Sequence, residues 1–70
     1  MNKNFNEKLR ELRIEKSLTQ KEVAKCLGIS VTCYAGYEQG YRQPALEMLI
    51  EICAYFDVSS DYLLGLSDEY

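Results

Sequence analysis

The stretch from Thr19 to Gly40, TQKEVAKCLGISVTCYAGYEQG, constrains the fold more than any other part of the chain. Thr19 is placed to cap a helix through its hydroxyl. Glu22, three residues on, can return a hydrogen bond to the cap backbone and complete a Thr-x-x-Glu capping box. Val23, Ala24 and Leu27 then recur at helical spacing on one face. Gly28 follows the last turn, where a residue with positive φ is wanted. Ser30 offers a second N-cap, which predicts a second helix over Val31–Gln39 that stops at Gly40. Two short helices are thus joined by a tight turn at Leu27-Gly28-Ile29.

The rest of the chain reads as support for that pair. Asn4-Phe5-Asn6-Glu7 is another capping arrangement, so the first helix starts after Asn4. Phe5, Leu9 and Leu12 fall at i, i+4 and i+7 and define its inward face. Lys16-Ser17 ends it, and Leu18, just before the Thr19 cap, is placed for a hydrophobic staple with Val23. After the loop Tyr41-Arg42-Gln43, Pro44 sets the start of a helix from about residue 45 to 56. On it Leu46, Leu49, Ile50, Cys53 and Phe56 share one side, while Met48, Ile52 and Tyr55 continue the apolar surface around the back. That arc is too wide for a helix buried on one side only. Either the other helices engulf it or its back edge meets a partner. Ser59 or Ser60 caps a short fifth helix through Leu64, and Gly65 ends it. No stretch carries a strand signal, so the expectation is one compact all-α domain of five helices spanning residues 1–70.

Bulk properties narrow the function. A chain of 70 residues buries only about 60% of its unfolded surface, so its stability is modest and oligomerisation is a common remedy. There is no run of 18 apolar residues to span a membrane, and the N-terminus lacks the apolar core of a signal peptide. The chain has no histidine, and its three cysteines (Cys26, Cys33, Cys53) form no Cys-x-x-Cys pair. That argues against a zinc site and against histidine-based catalysis. An odd number of thiols on helical segments suits a reducing cytoplasm. The net charge of −3 argues against nucleic acid when taken whole, but the distribution does not. Residues 1–43 hold all eight basic residues and five acids, a net +3, whereas residues 44–70 hold six acids and no base. One end is suited to meet phosphate and the other to face away.

Two helices meeting through a short glycine-containing turn make a helix-turn-helix unit, whose second helix can enter a DNA major groove. The chain also resembles the phage repressor and Cro-type helix-turn-helix proteins, the XRE family. The residues that carry the likeness are LRELRIEKSLTQKEVAKCLGIS, then YEQGYRQP, then FDVSSDYLLG, covering about residues 8–65. Each piece is unspecific alone; the set, in order and at these spacings, is highly specific. The resemblance implies a five-helix, lambda-repressor-like fold, sequence-specific binding to operator DNA, usually as a dimer, and transcriptional regulation of bacterial or phage type. The residues themselves add three expectations. Few charged contacts call for a dimer on two half-sites. The lack of histidine, glycine-rich phosphate loop and convergent carboxylates argues against an enzyme. No cofactor or small-molecule effector is evident. The resemblance also implies that Gln20 touches backbone and outermost bases, and that Val31, Thr32, Ala35, Gly36 and Gln39 face bases. Tyr41 and Arg42 would approach phosphate, and Arg13 and Glu38 would form a structural salt bridge. Electrostatics add Lys21, Lys25 and Arg10 as phosphate contacts. Met48, Tyr55, Tyr62, Leu66 and Tyr70 are the better candidates for a dimer surface, since Tyr and Met are enriched at interfaces; Ile52 and Leu63 read more simply as core.

The departures from the family pattern matter as much. The outward face of the third helix holds Val31, Ala35 and Gly36, with only Thr32 and Gln39 polar. Direct readout needs donors and acceptors, although apolar side chains can pack on thymine methyls. Gly36 costs about 1 kcal/mol relative to alanine in mid-helix and has two readings: drift at an exposed site, or close approach to DNA. Ala45 cannot cap the fourth helix as Ser or Thr would, a loss of about 1 kcal/mol. The rival function is a protein-interaction module, an antirepressor or dimerisation partner, that keeps the fold and presents the apolar face of the third helix to protein.

Overall fold

In the computed structural model, which describes residues 4–69, the capping residues set where the helices begin. Among the described residues there are five α-helices and no strand: α1 (Phe5–Glu15), α2 (Gln20–Leu27), α3 (Val31–Gln39), α4 (Leu46–Phe56) and α5 (Ser60–Leu63). The Glu7 amide donates to the Asn4 side chain while the Asn4 amide donates to the Glu7 carboxylate. Thr19 and Glu22 close the same reciprocal pair around α2. Ser30 and Ser59 accept from the amides of Cys33 and Tyr62 at the starts of α3 and α5. Ala45 supplies no side-chain bond to α4.

Helix ends repeat one device. At Ser17, Gly28, Asp57 and Gly65 the backbone turns left-handed. The amide of the next residue then donates back to a carbonyl five residues earlier: Leu18 to Arg13, Ile29 to Ala24, Val58 to Cys53, Leu66 to Asp61. This is the bond that satisfies orphan carbonyls at a helix C-terminus, and an apolar side chain after the turn accompanies it. Leu18, Ile29 and Val58 fold back onto the core. Gly28 and Gly65 fit this conformation without a Cβ, whereas Ser17 and Asp57 adopt it as non-glycine residues, φ 57° and 56°.

The core is a single cluster of Leu9, Leu12, Val23, Ala24, Tyr34, Tyr37, Ile52, Phe56 and Leu63. α3 packs on both α1 and α2, α4 on α2 and α5, and α5 returns to α1. The inward side of α3 is aromatic: Tyr34 and Tyr37 meet edge to face, centroids 6.4 Å apart. α5 is tied to α1 by Lys8, a buried lysine whose ammonium lies 4.2 Å from the centre of the Tyr62 ring.

α4 is rotated differently from the expectation. Ile52 and Phe56 are the buried residues, with Met48, Leu49, Cys53 and Tyr55 packed partly against them. Leu46 and Ile50 are 72% and 60% exposed. The helix is therefore not engulfed, and its open apolar edge is Leu46 and Ile50, one turn apart, rather than the Met48–Tyr55 edge. Tyr62 is half-buried, Leu66 is exposed, and Tyr70 lies outside the described residues.

Candidate nucleic-acid interface

The outward side of α3, the start of α2 and the loop after α3 meet in one shallow concavity lined by Gln20, Val31, Thr32, Ala35, Gly36, Gln39, Tyr41 and Arg42. Residues from three separate segments come together because α3 is held at a fixed angle to α2 and α1. Beside the burial of Tyr34 and Tyr37, one ionic centre holds α3 in place. Arg13 on α1 donates from Nε to Glu38 Oε2 at 2.6 Å and from Nη2 to Oε1 at 3.1 Å, a fork on a carboxylate whose side chain is 2% exposed. Its third bond, Nη1 to the Leu18 carbonyl at 2.9 Å, ties the α1–α2 connection to the same centre. Gln20 Nε2 also donates to Glu38 Oε1, at 3.1 Å. One buried carboxylate thus joins α1, the first residue of α2 and the last turn of α3. Bidentate, charge-assisted bonds of this kind set orientation as well as energy.

The titration of these groups follows from the contacts. Burial alone would push the Glu38 carboxyl up; the bonds from Arg13 and Gln20, with the Tyr34 hydroxyl dipole, outweigh it and hold the carboxyl below its ordinary range. Arg13 is shifted up, first through its bond to Glu38, against the opposing effect of burial. Tyr34 is fully buried, and its hydroxyl is left without a hydrogen-bond partner among the described residues, although it lies close enough to feel both members of the pair. Burial, then the Glu38 charge, pushes its pKa far above 10.

The site residues differ in exposure. Thr32, Gln39, Tyr41, Arg42 and Lys21 are exposed, Val31 is 44% exposed, and Gln20 and Ala35 are half-buried. Gln20 therefore has its amide nitrogen committed inward to Glu38. Gly36 departs most from expectation, since it is buried, and by its own chain. A Cβ added there would stand 3.0 Å from Arg42 Cδ and 3.1 Å from Cγ. The Gly36 carbonyl accepts from the amides of both Gly40 and Arg42, at 2.9 and 3.2 Å. Neither reading of Gly36 from sequence included this contact, because it spans a loop whose course has no local signature. Thr32, Gln39 and Gly36 fall on one half of the outward arc, and Val31 and Ala35 on the other, at about 100° per residue.

The described residues contain no cluster of His, Cys, Asp or Glu able to hold a metal, and none of their helices is long and apolar enough to cross a membrane. A family model described as Helix-turn-helix matches residues 9–63. The HTH-type transcriptional regulator AnsR of Bacillus subtilis (strain 168) is 46% identical over 59 residues, which is 84% of this chain and 51% of AnsR. The cryptic phage CTXphi transcriptional repressor RstR of Vibrio cholerae is 37% identical over 64 residues, 91% of this chain and 58% of RstR. The chain thus spans little more than half the length of these curated relatives. Among solved structures, the P22 c2 repressor in complex with synthetic operator 9T superposes with a TM-score of 0.86 at 25% identity, over 93% of this chain and 98% of that one. Family match, relatives and shared architecture agree with the motifs between Leu9 and Gly65: the chain belongs to the helix-turn-helix family, of the phage repressor and Cro type.

Proposed function

We propose that this chain binds double-stranded DNA sequence-specifically, with α3 in the major groove, as a transcriptional regulator of repressor type. The observation that carries the reading is the single concavity built by the start of α2, the outward side of α3 and the loop through Arg42. It is the surface a helix-turn-helix unit turns toward DNA, and the P22 c2 repressor of the same fold is in complex with an operator. Val31 and Ala35 are suited to thymine methyls, and Gln39 to the edge of an adenine. Lys21, Lys25 and Arg42, with the free amides opening α2 and α3, are suited to phosphates.

A handful of charged contacts per chain supports only weak binding by a monomer, so the active form is a homodimer on two half-sites about one helical turn apart. Its surface is the open edge of α4, Leu46 and Ile50, with Leu64 and Leu66 beyond α5, all exposed apolar side chains. The protein works in the reducing cytoplasm, where its free thiols persist, and by binding rather than catalysis.

Selection of bound duplexes from a random pool, at stated salt, tests the proposal. The expected result is an enriched site of two related halves. Absence of any enriched sequence refutes it. A stoichiometric protein complex that buries Val31 and Ala35, with no affinity for duplex, selects the protein-interaction reading instead.

A further inference from the structure

The outward face of α3 carries one amide and one hydroxyl from its own helix, too few to distinguish many base pairs. The loop supplies what the helix lacks. The missing side chain at Gly36 leaves a saddle on α3, and the Cβ, Cγ and Cδ of Arg42 lie in it, 3.4, 3.1 and 3.0 Å from where a Cβ would stand. The Arg42 amide is fastened at the same point, to the Gly36 carbonyl. Backbone and stem together fix an arginine, which is not part of the helix, against α3 at Gly36. It borders the concavity that holds Thr32 and Gln39. An arginine whose stem is held in this way loses less freedom on making a bidentate contact than one on an open loop.

We propose that Arg42, seated on Gly36, is a specificity-determining residue that reads a guanine edge in the major groove beside Thr32 and Gln39, rather than only a phosphate. The proposal rests on the DNA-binding reading above. Arg42 forks onto guanine O6 and N7, the two acceptors that an arginine spans. Gly36 is the positioning residue: it touches no base, and any side chain there lifts the arginine away.

The test compares the full chain with Arg42→Ala and Gly36→Ala in selection from a random duplex pool and in titrations across salt. The wild-type chain should enrich sites with a G·C pair at one fixed position per half-site. Arg42→Ala should lose that preference alone, by roughly 10- to 100-fold in discrimination, while other positions stay selected. Gly36→Ala should show the same loss at the same position, although its thermal midpoint is unchanged or raised. A uniform loss of affinity in Arg42→Ala, with the salt slope reduced by about 0.9 and every base preference intact, would assign Arg42 to phosphate and overturn the inference. So would full retention of the G·C preference in Gly36→Ala. Failure of the wild-type chain to enrich any sequence would overturn the DNA-binding reading itself; a G·C preference that survives both variants overturns only the role of Arg42.

Discussion

Replacing Glu38 by glutamine should destabilise this protein strongly for a change of a single heavy atom. The carboxylate is almost wholly buried and accepts from Arg13 twice and from Gln20 once. Breaking one partner of a buried pair costs about 3–5 kcal/mol, because the other charge is left uncompensated. Here the lower end applies, since the Arg13 side chain keeps 14% of its surface exposed and can turn toward water. A stability of about 0.05–0.15 kcal/mol per residue puts the whole chain at roughly 4–10 kcal/mol. A loss of about 3 kcal/mol is then roughly 30% or more of the total, and lowers the thermal midpoint by about 12–24 °C. Urea unfolding followed by far-UV circular dichroism measures it directly, with the slope m as control for two-state behaviour. The paired replacement Arg13→Met with Glu38→Leu should recover most of the loss, since well-packed apolar residues can replace a buried pair at little cost. A loss below about 1 kcal/mol for Glu38→Gln at unchanged m would refute the claim that this carboxylate locks α3 to α1 and α2.

Acid should act through the same group. The Glu38 carboxyl is depressed in the folded chain, so its contribution is complete above its unfolded pKa of about 4.5 and fades as pH falls through the folded value; urea midpoints of Glu38→Gln should be flatter than wild type below about pH 4.5. Tyr34→Phe removes a buried hydroxyl that has no hydrogen-bond partner among the described residues but whose dipole favours the Glu38 charge. The two effects oppose, and stability in urea titrations at neutral pH should change by less than about 1 kcal/mol. Because the Tyr34 pKa is raised on folding, its contribution is complete below about pH 10 and is lost as pH rises further, and Tyr34→Phe should resist alkaline unfolding better than wild type. Ala45→Ser should give α4 the cap it lacks and raise stability by about 1 kcal/mol, read from the urea midpoint.

What the sequence made legible was what local chemistry decides. Asn4, Thr19, Ser30 and Ser59 mark helix starts because a short polar side chain reaches its own helix's amides without help from the rest of the fold. Gly28, Gly40 and Gly65 mark ends because few other residues turn left-handed cheaply. Ser17 and Asp57 make the same turn without glycine, held by the bonds of Leu18 and Val58, and no residue preference reveals them. The rotation of α4 was illegible for a different reason. With apolar residues around most of its circumference, periodicity does not choose between Ile52 and Ile50 as the inward residue; packing against α2 and α5 does. In the candidate site, the family motif named segments that the structure brings side by side, but the contacts between them were hidden. Gln20 and Glu38 are 18 residues apart, and the seat of Arg42 on Gly36 depends on the path of the loop between them.

Residue-resolved NMR during titration of the chain with its selected duplex tests directly whether this concavity meets DNA. Signals of Gln20, Val31, Thr32, Ala35, Gln39 and Arg42 should shift together, and should revert when salt is raised and phosphate contacts weaken. Signals of the acidic surface at Glu47, Glu51 and Asp61 should stay in place. Shifts centred on α4 and α5, with the outward face of α3 unmoved, would contradict the claim that this concavity is where the protein meets DNA.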